Sequence, residues 1–128
     1  MFPDPLPADT APRVIRATRI LSGDVLAHPG SRKMREALSQ MEEGTRLEQL
    51  CNIEAMAQIA AALGHFRPEQ VVAYAMADTR VTRTAITARG AAFRSGREWL
   101  NLAYECQLTP DRTTVRGFAF SVGAAIPE

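Results

Sequence analysis

The chain of 128 residues has the size of one ordinary domain, and a core at that length buries roughly two-thirds of the surface that the unfolded chain exposes. Its 46% hydrophobic and 23% charged residues match globular usage, which excludes fibrous and wholly disordered readings, and no apolar run approaches the length of a membrane span. Fifteen basic against fourteen acidic side chains argue against a dedicated nucleic-acid module, and two cysteines with two histidines are too few for a zinc site of standard spacing.

Residues 1–12 hold Pro3, Pro5, Pro7 and Pro12 and little to bury, so they read as an extended linker; residues 13–128 read as a single α+β domain. Met1 to Pro12 carry neither the basic nor the apolar region of an export signal. From Arg13 the pattern is weakly helical, with Val14, Ala17 and Leu21 on one face and an end near Ser22-Gly23. His28-Pro29-Gly30 is a turn, Ser31 an N-cap, and Arg32 to Gln40 a short helix that turns Met34, Leu38 and Met41 inward.

The strongest local signal is Thr45 with Glu48, a capping box that opens a core helix over residues 46–63. Leu47, Leu50, Cys51, Ile53, Met56, Ala57, Ile59 and Leu63 give it a wide apolar face, and Gly64 is placed to take the left-handed position after its end. Glu42, Glu43, Glu48 and Glu54 read as its solvated side.

Beyond Pro68 the period shortens. Val71 to Met76 reads as a strand, although Pro68-Glu69 could equally open a helix. Ile86 to Phe93 reads as a weak strand. Leu100, Leu102, Tyr104, Cys106 and Leu108 alternate as the inward set of a strong one, and Phe118, Phe120 and Val122 form the inward set of the next, after a turn at Thr109-Pro110-Asp111. If each strand keeps one face inward, paired numbers sum to an even value, as with Tyr104 opposite Phe118 and Leu102 opposite Phe120. Both connecting loops are then odd, the first being Ser95-Gly96-Arg97 with a bulge, and Ile86, Ala88, Gly90 and Ala92 face inward. The expected architecture is α+β: N-terminal helices, then a three- to four-stranded antiparallel meander packed on the capped helix.

Cys51 on the apolar side of the helix and Cys106 at inward parity aim at the same interface. Either they form a disulfide, closing a loop of about 55 residues, or they are two buried thiols acting as small hydrophobes. Neither has a histidine in fixed relation to it, so no catalytic role is assigned; no cofactor and no metal is expected.

Arg80, Arg83, Arg89, Arg94 and Arg97 fall in a stretch without a carboxylate, and Trp99 follows at outward parity. Arginine forks suit carboxylate or phosphate contacts, so these six are the candidate partner-binding residues. The plainer reading is a solvated strand face with a Trp covered by the linker or the first helix, in a chain with fourteen Arg and one Lys.

Arg46-Leu-Glu-Gln-Leu-Cys51-Asn-Ile-Glu-Ala55, Val71-Val-Ala-Tyr-Ala-Met76, Gly90-Ala-Ala-Phe-Arg94, Trp99, Tyr104-Glu-Cys106, Pro110-Asp111 and Phe118-Ala-Phe-Ser-Val-Gly123 together resemble the bacterial family of uncharacterised proteins called domain of unknown function 930, over residues 18–127. The resemblance implies an envelope protein with an N-terminal anchor or export signal, a proline-rich stretch and this domain at the tip; it implies no catalytic residue.

The expected function is a non-enzymatic periplasmic interaction module that binds an envelope protein or an anionic envelope component. Nucleic acid is not expected as a partner, any membrane association would come from an N-terminal anchor, and a homodimer through an edge strand is open. The alternative is a small ligand-binding or enzymatic domain with a pocket between helix and sheet, marked by a cavity that holds Tyr104 and a carboxylate.

Overall fold

A computed structural model describes residues 13–127; the proline-rich stretch 1–12 lies outside them. The elements are β1 (Ile15–Arg16), α1 (Ser22–Ala27), a 3₁₀ turn (Pro29–Ser31), α2 (Arg32–Ser39), α3 (Glu43–Ala62), β2 (Pro68–Val72), β3 (Arg80–Val81), β4 (Ala85–Ser95), β5 (Glu98–Leu108) and β6 (Val115–Ala125). All pairings are antiparallel, in the order β1-β6-β5-β4-β2, with β3 also on β4. The sheet thus has six strands where the sequence suggested three or four, because β1 and β3 are two-residue strands too short to leave a period.

Helix α3 forms the middle layer. One side meets the sheet through Leu47, Leu50, Cys51, Ala55 and Ile59, which share a core with Phe93, Leu102, Tyr104, Cys106, Phe118 and Phe120. The other side is covered by α1 and α2, so α3 is buried over most of its circumference. Its start differs from the capping-box reading: Glu42 is the N-cap, its side chain accepting from Gly44 N–H at 3.1 Å, and Thr45 lies inside the first turn. Gly64 takes no left-handed conformation; among the described residues only Gly96 and Arg112 have positive φ.

The N-terminal reading is corrected more strongly. Residues 13–21 are not a helix: Ile15 pairs with Phe120 and Arg16 with Ala119, and the chain then crosses to α1, which begins at Ser22. Ser31 makes no side-chain cap; its hydroxyl donates to the Val25 carbonyl at 2.7 Å. On α2 Leu38 is buried, whereas Met34 is 44% exposed.

In the meander, β5 behaves as expected, with Leu100, Leu102, Tyr104, Cys106 and Leu108 all buried. Its even pairing sum with β6 also holds, but the register lies two residues away, Tyr104 opposite Phe120 and Cys106 opposite Phe118. The connection is the six residues between Leu108 and Val115, not an odd loop, and a register shift beside Leu108 absorbs the difference. There Asp111 accepts from the Thr109 and Thr113 hydroxyls at 2.6 and 2.8 Å and from Thr113 N–H, which holds its carboxyl below the ordinary range.

The β4–β5 hairpin turns on two residues, Gly96-Arg97, with φ of +64° at Gly96 alone, where glycine has no Cβ to clash. Its parity is therefore odd, Ala91 opposite Leu102 and Phe93 opposite Leu100. A bulge at Arg89-Gly90 restores even parity at Ala88 opposite Tyr104 and Ile86 opposite Cys106. The inward residues are consequently Ile86, Ala88, Ala91 and Phe93; Gly90 and Ala92 leave the expected set. Residues 73–79 interrupt the edge strand beside this bulge. Met76 N–H donates to the Gly90 carbonyl at 2.7 Å, and a Cβ on Gly90 would lie 2.6 Å from Ala77 N.

Candidate functional site

Cys51 and Cys106 form a disulfide between α3 and β5, with Cα atoms 6.0 Å apart and both residues fully buried. The bond fastens the helix to the central strand of the meander, and no free cysteine remains.

Beneath it lie two buried polar groups. The Glu54 carboxylate accepts from Leu21 N–H at 2.9 Å, Ser22 N–H at 2.8 Å and Gln58 Nε2 at 2.6 Å, and Gln58 also donates to the Arg19 carbonyl. Glu54 is therefore no solvated residue. Leu21, at the N-cap of α1, has no side chain to satisfy the orphan N–H groups of the first turn, and Glu54 supplies the acceptors from α3. Tyr104 Oη donates to Asn52 Oδ1 at 3.0 Å, while Asn52 Nδ2 reaches the Val71 carbonyl at 3.5 Å. Burial raises the Tyr104 hydroxyl above the ordinary phenol range, and the charge of Glu48 adds to the effect; Glu48 is itself raised by partial burial.

The six partner-binding candidates do not form one patch. Arg94 is half-buried and its Nε lies 3.3 Å from Glu69 Oε1 on the neighbouring strand. Arg97 sits at the hairpin tip. Trp99 is half-buried, bordering a shallow hollow of about 450 Å³ with Ala75, Ala125, Ile126 and Pro127, so the C-terminal end and the 73–79 segment flank it. Arg83 belongs to the β3–β4 turn at the far end, where Arg112 Nη1 donates to its carbonyl and Arg112 Nε approaches Glu43 Oε1 at 3.4 Å.

Arg80 and Arg89 do share a surface, and they share it with Arg16. The register aligns Arg80 with Thr87, Thr87 with Glu105, Glu105 with Ala119 and Ala119 with Arg16, one transverse row on the face opposite α3. At about 4.8 Å per strand the two terminal arginines of the row stand about 19 Å apart at their Cα atoms. Beside it Arg16, Thr87, Arg89, Ala103, Ala119 and Ser121 line an open groove of about 280 Å³. Arg16, Arg80 and Arg89 are exposed, and among the described residues none is ion-paired. Arg16 escaped the sequence reading because a helix through residues 13–22 carries it away from the sheet.

A second depression separates α3 from β2. It has about 290 Å³ and is lined by Glu48, Gln49, Asn52, Met56, Gln70 and Tyr74, among others. No cluster of metal-ligating side chains occurs among the described residues.

Three layers, helix pair, disulfide-fastened helix and antiparallel sheet, define a small α+β domain with one covered and one open sheet face. The chain belongs to the family described as Domain of Unknown Function (DUF930), which matches residues 38–128. The match begins at Leu38, so β1 and α1 lie before it. Comparison with curated proteins and with solved structures finds no match.

Proposed function

We propose that the chain is a non-enzymatic interaction module of an oxidising compartment, the periplasm, that binds an envelope protein through the open face of its sheet. The observation that carries this reading is the row Arg80–Thr87–Glu105–Ala119–Arg16 with Arg89 beside it, three arginines without an ion-pair partner among the described residues, over a floor of small residues. A plus–minus–plus order favours a protein surface with matched charges over a uniformly anionic component, since like charges set against Glu105 are penalised. The Cys51–Cys106 bond supports the compartment, because disulfides persist where thiols are kept oxidised. No helix of the described residues is long and apolar enough to cross a membrane. A photo-reactive residue at Ala103 should form adducts in the native cell, and Arg16→Glu with Arg89→Glu should abolish them. Adduct yield unaffected by both charge reversals discards the face.

A second reading, a small ligand-binding domain with its pocket between helix and sheet, is favoured by the α3–β2 cleft. Its wall carries Glu48, and behind it lie Asn52 and the Tyr104 hydroxyl.

A further inference from the structure

Two neighbouring rows on the open face of the sheet are self-complementary. In the first, Glu105 on β5 lies opposite Ala119 on β6, and Ala119 opposite Arg16 on β1. In the second, Ala103 lies opposite Ser121, and the β1–β6 register continued by one residue puts Val14 beside Ser121. In both rows β6 holds the middle position, with β1 and β5 one strand away on either side. The two flanks are opposite in kind. Arg16 stands against Glu105, both exposed and, among the described residues, neither ion-paired; the apolar Val14, 59% exposed, stands against the small Ala103. The side chains that β6 sets between them, on Ala119 and Ser121, are small, and Gly117 further along the same face has none.

Resting on the reading of this face as a protein-binding surface, we infer that its partner is a second copy of the chain, packed sheet on sheet with the two-fold axis along β6. Rotation about that line exchanges the flanks. Arg16 of each copy meets Glu105 of the other, Val14 meets Ala103, and Ala119 and Ser121 meet their own equivalents, an isologous contact. An axis across the strands would instead lay Arg16 on Arg16 and Glu105 on Glu105, and like charges set face to face are penalised, so the charge order selects the axis. With only small side chains on β6, the sheets reach the ordinary face-to-face spacing of about 10 Å at the axis. The groove of about 280 Å³ then receives Val14 and Arg16 of the other copy. Three strand widths by the length of β5 and β6 is about 14 by 35 Å, on the order of 500 Å² per copy, the lower end for a specific complex, so the dimer is a reversible one.

Charge exchange between copies tests this arrangement. The full, disulfide-bonded chain is sized by sedimentation velocity across the micromolar range, where a monomer–dimer equilibrium is expected. Arg16→Glu and Glu105→Arg, each alone, bring like charges together at both symmetry-related contacts and should weaken self-association roughly tenfold or more. An equimolar mixture of the two variants should restore it, because both contacts of the mixed dimer then join opposite charges; variants that had merely lost their fold would gain nothing from mixing. A photo-reactive residue at Ala103 should give an adduct of twice the chain mass, cross-linked within residues 13–17 of the other copy. A chain that stays monomeric across that range, or a dimer indifferent to both substitutions, overturns the second copy as the partner. If adducts formed at Ala103 in the native cell then carry a different protein and still depend on Arg16, the open face stands as the surface for that protein. If no adduct forms either in the purified chain or in the cell, the open-face reading falls together with the dimer.

Discussion

Glu54 on α3 accepts the backbone N–H groups of both Leu21 and Ser22, more than thirty residues earlier in the chain, and is fully buried while doing so. This contact fixes where the chain coming from β1 enters α1, and so holds the outer helical layer on α3. Glu54→Ala leaves two buried donors unsatisfied and should cost about 3 kcal/mol in urea denaturation. Glu54→Gln keeps an acceptor but brings a second amide against Gln58 Nε2, and should cost about 1–2 kcal/mol. Hydrogen exchange should show β1 and α1 opening in the alanine variant before the meander. A variant that loses β5 and β6 protection equally would mean that Glu54 supports the whole core and not the outer layer.

Removing the disulfide tests the junction of the other two layers. Chain entropy for a separation of 55 residues gives about 4 kcal/mol, a large share of the stability of a domain this size. Cys51→Ala with Cys106→Ala should lower the urea midpoint accordingly. The native protein should take no alkylation, even under denaturing conditions, until it has been reduced, after which it should take two. Labelling of the unreduced, denatured chain would mean free thiols and would remove the support for an oxidising compartment.

How far the fold was legible follows from the same elements. Leu100 to Leu108 alternates without exception because β5 is the central strand of the meander, and the even parity with β6 followed from it. The register missed by two because the six-residue loop and the shift beside Leu108 are decided by Asp111 and its threonines, a local hydrogen-bonded loop that periodicity does not report. Residues 13–22 misled for a different reason: a two-residue strand has no period, and Val14, Ala17 and Leu21 fall by chance at helical spacing. Glu54 was unreadable since its acceptors serve donors distant in sequence. The cysteines were legible as a pair facing one interface. The arginines were legible as a cluster along the chain but not as a surface, because the bulge at Arg89-Gly90 and the Glu69 contact sort them apart and Arg16 arrives from another strand.

Gly90 offers a direct test of that bulge. An added Cβ would meet the backbone of Ala77 at 2.6 Å, and backbone, unlike the end of a flexible side chain, gives way only by moving the 73–79 segment. Gly90→Ala should therefore cost about 1–3 kcal/mol, the range for overpacking a filled site. Gly64→Ala is the control: a Cβ added there would meet nothing within 4 Å and its φ is ordinary, so it should be neutral or stabilise by about 0.4–1 kcal/mol through the unfolded chain. Equal effects of the two in thermal unfolding would show that the Gly90 environment relaxes freely.

Tyr104 gives the fold an alkaline limit. Burial first, and the Glu48 charge second, raise its hydroxyl above the ordinary value, so the folded state keeps the proton that the unfolded state releases. The raised group contributes its full stability below the unfolded pKa of about 10, and that contribution falls as pH rises past it, because only the unfolded state ionises. Tyr104→Phe removes the donor to Asn52 Oδ1 and should cost about 1–2 kcal/mol at neutral pH. The same variant should lose less stability between neutral pH and pH values above about 10, so its denaturation curve should converge on the wild-type curve there. Urea titrations of both proteins across that interval decide the matter: parallel curves would mean that Tyr104 ionises as readily folded as unfolded, and that the Asn52 contact is open to water.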